Sequence, residues 1–124
     1  MLDAKKLGFI AGFLEGEGSF TLSPESRWLN GKLRPHRFQR FKVSITQKDP
    51  EILQRLKGAV GGNIRQIKGT GYSKFETTGR QYHILEITGP RARGLAMTVF
   101  QFMSTRRRDQ IKKGLAGDGE KLCV

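Results

Sequence analysis

One cysteine, two histidines and only 11 acidic residues among 124 limit this chain before any motif is considered. Cys123 has no partner for an intrachain disulfide, which suits a reducing, intracellular setting such as a bacterial or archaeal cytoplasm or an organelle. His36 and His83 have no cysteine or acid at metal-ligand spacing, so no zinc site is expected. The longest strongly apolar run, Leu7 to Leu14, falls far short of the roughly 20 residues a membrane span needs. Lys5 and Lys6 precede that run as in a secretory leader, but Glu15 and Glu17 stand where a small-residue cleavage site would fall. The glycine-rich "GTGYSKFETTG" and "GAVGGN" lack the Gly-Lys-Ser/Thr of a phosphate loop and read as turns, so no small-molecule cofactor is implied.

What the chain has in excess is positive charge. Its 23 lysines and arginines leave a net charge of +12, which favours a polyanionic partner over a neutral small molecule. Between Glu25 and Asp49 lie Arg27, Lys32, Arg34, Arg37, Arg40, Lys42 and Lys48, with His36 beside them and no acid among them. Nucleic acid is the partner this clustering favours, against a merely solubilising or membrane-binding surface. The length fits one domain, placed at residues 1–116, with 117–124 as a flexible C-terminal tail containing "GDGEKLCV".

Local signals divide the chain into alternating helices and strands. Residues 2–16 read as a helix with Asp3 as N-cap and Leu7, Ile10, Ala11 and Leu14 at helical spacing. After Gly16 and Gly18, "SFTLS" begins an extended segment with Phe20 and Leu22 on one side, followed by a loop rich in turn formers. "FQRFKVSITQ" alternates, with Phe41, Val43 and Ile45 on one face and Arg40, Lys42, Ser44 and Thr46 on the other. Asp49 and Pro50 open a helix reaching about Val60, with Ile52, Leu53, Leu56 and Val60 inward. "NIRQIK" and "RQYHILEIT" are strands joined by residues 69–79, with the facing of Gln81 and His83 against Tyr82 and Ile84 left open. Gly89 and Pro90 open a further helix presenting Leu95, Val99, Phe102 and Met103, and a shorter basic helix starts near Arg106. The order is α-β-β-α-β-β-α, an α+β fold.

The first helix carries two locally unfavourable features. Gly8, Gly12 and Gly16 recur every four residues along one ridge, each costing about 1 kcal/mol of helix stability relative to alanine. Such a bare ridge lets another backbone approach closely, from the same chain or from a second one. Glu15 and Glu17 then sit at the negative end of the helix dipole, where a cation would reverse an unfavourable sign. Magnesium takes one or two carboxylates, keeps several waters and completes its shell with phosphate oxygens.

The run Ile10-Ala11-Gly12-Phe13-Leu14-Glu15-Gly16-Glu17-Gly18, continuing through Ser19 and Phe20, resembles the nonapeptide signature of the LAGLIDADG homing endonucleases. Small residues fall in its second and third places, acids in its sixth and eighth, and glycine in its ninth. The element order is similar to that family's core, which implies a saddle-shaped antiparallel sheet. A single signature implies a homodimer whose signature helices cross at the dyad, with Gly8, Ala11, Gly12 and Gly16 at the interface. The resemblance further implies a magnesium- or manganese-dependent DNA endonuclease, carried by a mobile element such as an intron and cutting double-stranded DNA at a long, partly palindromic site.

Carried over by position, the acid in the eighth place, Glu17, is the catalytic metal ligand, with the Gly16 carbonyl as a second contact and Glu15 as support. The end of the second strand offers Gln47 to order water, with Lys48 adjacent. A basic residue near the last helix would complete the site, and "STRRRDQ" offers Arg106 or Arg107. DNA contacts are expected from Arg27, Lys32, Arg34, Arg37, Gln39, Arg40, Lys42 and Ser44, then Asn63, Arg65 and Lys68, then Arg80 and His83. The competing readings are a non-cleaving relative, such as an intron maturase or transcriptional regulator, and a basic structural protein, which explains the charge but not the signature.

Overall fold

The computed structural model describes residues 3–68 and 81–120, excepting the side chains of 25–29, 34–37, 68, 81 and 120. Asp3 accepts a hydrogen bond from the Lys6 N–H at 2.8 Å and starts helix α1, Ala4–Glu17. Asp49 accepts from the Glu51 N–H at 2.9 Å and, with Pro50, starts α2, Pro50–Val60. In both cases a side-chain oxygen satisfies an N–H that the first helical turn would leave orphaned. The other helices are α3, Gly89–Val99, and α4, Thr105–Gly117, separated by a 3₁₀ turn over Phe100–Phe102.

The sheet comprises β1, Gly18–Leu29; β2, Lys32–Gln47; β3, Asn63–Lys68; β4, Gln81–Thr88; and β5, Gly119–Glu120. Strands run antiparallel in the order β1-β2-β4-β3, and β5 pairs with β2 beyond the end of β4. Phe20, Phe41, Val43, Ile45, Leu85 and Ile87 occupy one face. They join Ile10, Leu14, Leu53, Leu56, Leu95, Val99 and Ile111 from the four helices in a single apolar core. All four helices therefore cover the same face of the sheet and leave the other open. This is an α+β fold with an open antiparallel sheet, and its helices and main strands follow the expected α-β-β-α-β-β-α order.

Four sequence expectations change. The stretch read as a loop after "SFTLS" is instead the far half of a long β1–β2 hairpin, turning at Asn30 (φ 51°) and Gly31 (φ 76°). Positive φ at both central residues is the geometry that Asn-Gly favours in a two-residue hairpin turn. Phe102, expected inward, is 52% exposed, because the 3₁₀ turn rewinds the chain and puts Phe100 against the core. The last basic helix spans 13 residues, longer than α3, and the chain beyond it is tied to β2 through Glu120. Asp118 accepts from the Phe41 N–H at 2.9 Å and from Arg93 at 3.2 Å, bridging the gap between β4 and β5 along β2. Finally, Ala11, expected at an interface, is only 4% exposed and packs in its own chain's core.

Candidate active site and nucleic-acid interface

The end of α1 is fixed by close packing. The Gly18 N–H donates to the Leu14 carbonyl, and a Cβ at Gly18 would lie 2.7 Å from that oxygen, so only glycine lets the helix pass directly into β1. Gly18 pairs with Ile45, which brings the last residues of α1 into the sheet level with Thr46 and Gln47, the last two of β2. Glu17 is exposed there and makes no hydrogen bond or ion pair among the described residues.

Glu15, two residues earlier, is engaged instead. Its carboxylate accepts from the Ser104 N–H at 3.4 Å, at the N-terminus of α4. Its pKa lies below the ordinary 4.5, chiefly through the Ser104 side chain, against opposing desolvation and with help from the Ser104 N–H and the Arg107 and Arg106 charges. The two acids of the signature thus have separate environments, one occupied and one available.

The triple arginine is also divided. Arg107 is 8% exposed: its Nε donates to the Glu15 carbonyl at 3.1 Å and its guanidinium to Gln110 Oε1 at 3.0 Å. Arg108 donates to the Phe100 and Gln101 carbonyls at 3.2 and 2.8 Å. Arg106 stays exposed, so of the two alternatives it is the one left able to meet a ligand at this end of α1.

Within one chain the donors at this point are hard oxygens, the Glu17 carboxylate and the Gly16 carbonyl, and no cluster of three His, Cys, Asp or Glu occurs among the described residues. That set fits magnesium or manganese, which accept few protein ligands and retain water, better than zinc. Gly16 is exposed with open space where a Cβ would stand, so access is not blocked.

The open face of the sheet collects Arg40, Lys42, Ser44 and Thr46 from β2 beside Asn63 and Arg65 from β3. Facing in β4 is settled by its core residues: Leu85 and Ile87 are buried, so Tyr82, Ile84 and Glu86 look outward. His83 shares the core-side parity and its Nδ1 lies 3.3 Å from the Lys48 carbonyl, which removes it from the open face. Gln39 alternates with Phe41 on the helix side and lies near Gly117, so it too leaves the proposed interface. Lys48, next to Gln47, has its Nζ 5.8 Å from the centre of the Tyr82 ring. Arg65 pairs with Glu86 at 2.6 Å on this face, a contact the sequence did not signal.

Lys32 is exposed near the hairpin tip, and the strand register sets Arg27 opposite Arg34, with Arg37 further along β2. Lys68 ends β3, and Arg80 lies outside the described residues. On α1, Gly8, Gly12 and Gly16 are exposed and a Cβ on any of them would meet nothing within 4 Å. The ridge is therefore not used for packing within the described chain. Phe9 stands beside it, 44% exposed, with its ring 5.9 Å from that of Phe13.

A helix-backed antiparallel sheet with basic side chains on its open face, entered by a glycine-ridged helix that ends in an exposed acid, is the arrangement expected of the homing endonuclease fold. The family model for LAGLIDADG endonuclease matches residues 10–88, and the chain belongs to that family. Among solved structures it is similar to the archaeal intron-encoded homing endonuclease I-Vdi141I complexed with DNA. That match has 24% identity and a TM-score of 0.56 over 86% of this chain and 63% of that one. It is also similar to the homing endonuclease I-CvuI in complex with the I-CreI target, with 18% identity and a TM-score of 0.61 over 87% of this chain and 62% of that one. I-GzeII in complex with its DNA target gives 18% identity and a TM-score of 0.54 over 86% of this chain and 34% of that one. The chain thus spans under two thirds of the length of each of these proteins. No curated protein matches it. Among the described residues no helix is long and apolar enough to cross a membrane.

Proposed function

We propose that the protein is a homodimeric, site-specific DNA endonuclease that makes a double-strand break by divalent-metal-dependent phosphodiester hydrolysis. The observation that carries this reading is the exposed, unpartnered carboxylate of Glu17 at the end of the signature helix, level with Gln47. The Glu15 carboxylate is held by the Ser104 N–H and that of Glu86 by Arg65, whereas Glu17 has no such contact among the described residues. Glu17 and the Gly16 carbonyl would hold the cation, magnesium or manganese. Such an ion, when bound, polarises the scissile phosphate and lowers the pKa of a water.

The rest belongs to the chain's own side chains. Gln47 can orient a water by hydrogen bonding, and Arg106 can neutralise charge developing on the phosphate. Lys42, Arg40 and Arg65 on the open face meet phosphates and base edges, and the β1–β2 ribbon has the width to enter a major groove. The bare glycine ridge supports close crossing of two α1 helices, which would bring two Glu17 residues to one DNA site and so cut both strands. A dyad in the protein implies a partly palindromic target, and an intron-borne gene would explain its length.

Incubation with a DNA library and Mg²⁺, followed by sequencing of the ends, tests this. Specific paired ends are expected that fall at least about a hundredfold in Glu17→Gln, while DNA binding persists. Equal cutting by Glu17→Gln would overturn the assignment of the ligand. Tight RNA or DNA binding by the parent with no scission would replace cleavage with a maturase- or regulator-like role.

A further inference from the structure

Arg107 is the one buried charged residue among those described, and every contact it makes converges on the junction of α1 and α4. The Glu15 carbonyl belongs to the last turn of α1, where helical N–H partners run out because the chain turns into β1 at Gly18. Arg107 Nε supplies the missing donor at 3.1 Å, and its charge lies at the negative end of the α1 dipole. In return the Glu15 carboxylate accepts from the Ser104 N–H at the positive end of α4. Ser104 Oγ accepts from the Arg107 N–H at 3.3 Å, so cap, carboxylate and guanidinium form one reciprocal clasp between the two helix ends.

The clasp grips the residue two places before Glu17. Resting on the reading of Glu17 as metal ligand, we infer that Arg107 is a positioning residue for Glu17 and not the cation that meets the phosphate. By holding the Glu15 carbonyl against α4, it fixes the direction in which α1 ends, and with it where the Gly16 carbonyl and the Glu17 carboxylate point. Arg106, on the neighbouring helical position and exposed, remains for direct contact. The clasp also accounts for an acid in the sixth place of the signature that takes no part in chemistry.

The test compares the parent with Arg107→Met, which keeps an unbranched apolar stem but no donor, and Arg107→Lys, which keeps a charge and a single-point donor. Melting temperature, DNA affinity, the single-turnover cleavage rate and Mn²⁺ bound to the protein–DNA complex, counted by electron paramagnetic resonance, are measured for each. A displaced ligand predicts a cleavage rate about a hundredfold lower in Arg107→Met. The half-saturating Mn²⁺ concentration should rise at least about tenfold while DNA affinity changes little. Arg107→Lys should fall between the two in both readouts, and it keeps the test available if the Met variant does not fold. Unchanged Mn²⁺ binding in a folded Arg107 variant, or parallel loss of DNA affinity and rate, would overturn the inference. A parent that neither cuts nor takes up Mn²⁺ on DNA would instead remove the nuclease reading beneath it.

Discussion

The two faces of the sheet are built from the same strands and differ in almost everything else. On the covered face Phe41, Val43, Ile45, Leu85 and Ile87 are each 2% exposed or less, and they meet residues from all four helices. On the open face the alternate positions are Arg40, Lys42, Ser44, Thr46, Asn63 and Arg65, on the side opposite the core that the four described helices cover. Stability therefore resides on one side, the proposed recognition would fall on the other, and the period-2 geometry of a strand keeps the two one residue apart. Helix α1 repeats the division at a different period: Ile10, Ala11 and Leu14 are buried while Gly8, Gly12 and Gly16 are bare.

The division is sharpest at neighbouring residues. Phe41→Ala should cost about 3–5 kcal/mol in a denaturation experiment, since it opens a cavity in the core where the ring stacks on Phe20. Lys42→Ala should change stability by less than about 0.5 kcal/mol. It should instead weaken DNA binding and reduce the slope of log affinity against log salt by about one. Equal stability losses from the two substitutions would mean that the open face is covered by something after all.

Most of the covered face was legible in the sequence, because the signals that build it are local. Asp3 and Asp49 mark helix starts by hydrogen-bonding chemistry confined to a few residues, and Pro50 and Pro90 mark them by a φ already set for the first turn. "FQRFKVSITQ" alternates because half of it must be buried. The outer hairpin, residues 25–37, was read as a loop because its sequence carries no apolar alternation. Pro24 and Pro35 added to that impression, although Asn30-Gly31 was a usable turn signal. The separate roles of Arg106 and Arg107 were not legible, because which arginine is buried depends on where α4 meets α1, a contact across 92 positions.

The glycine ridge allows a smaller test of the same division. Within one chain Gly12→Ala meets nothing within 4 Å, so it should stabilise α1 by up to about 1 kcal/mol in a dilute, monomeric sample. If two α1 helices cross at this ridge, the same methyl group holds them apart and the dimer dissociation constant, read by analytical ultracentrifugation, should rise. A substitution that raises monomer stability and lowers dimer stability would locate the interface. Tighter association in Gly12→Ala would place it elsewhere.

The smallest effect concerns the two acids of α1, which differ as the two faces do. Glu15 has a folded-state pKa below 4.5, held there first by its hydrogen bond with Ser104. A carboxylate whose pKa is depressed on folding binds a proton more readily when unfolded, so its contribution to stability is complete above pH 4.5 and is lost as pH falls through the folded value. Denaturation midpoints of the metal-free protein measured downward from about pH 6 should therefore decline less steeply in Glu15→Gln than in the parent below pH 4.5. A decline in Glu15→Gln as steep as the parent's would mean that the fold does not hold this acid, and the contrast between an occupied acid and an available one would fail.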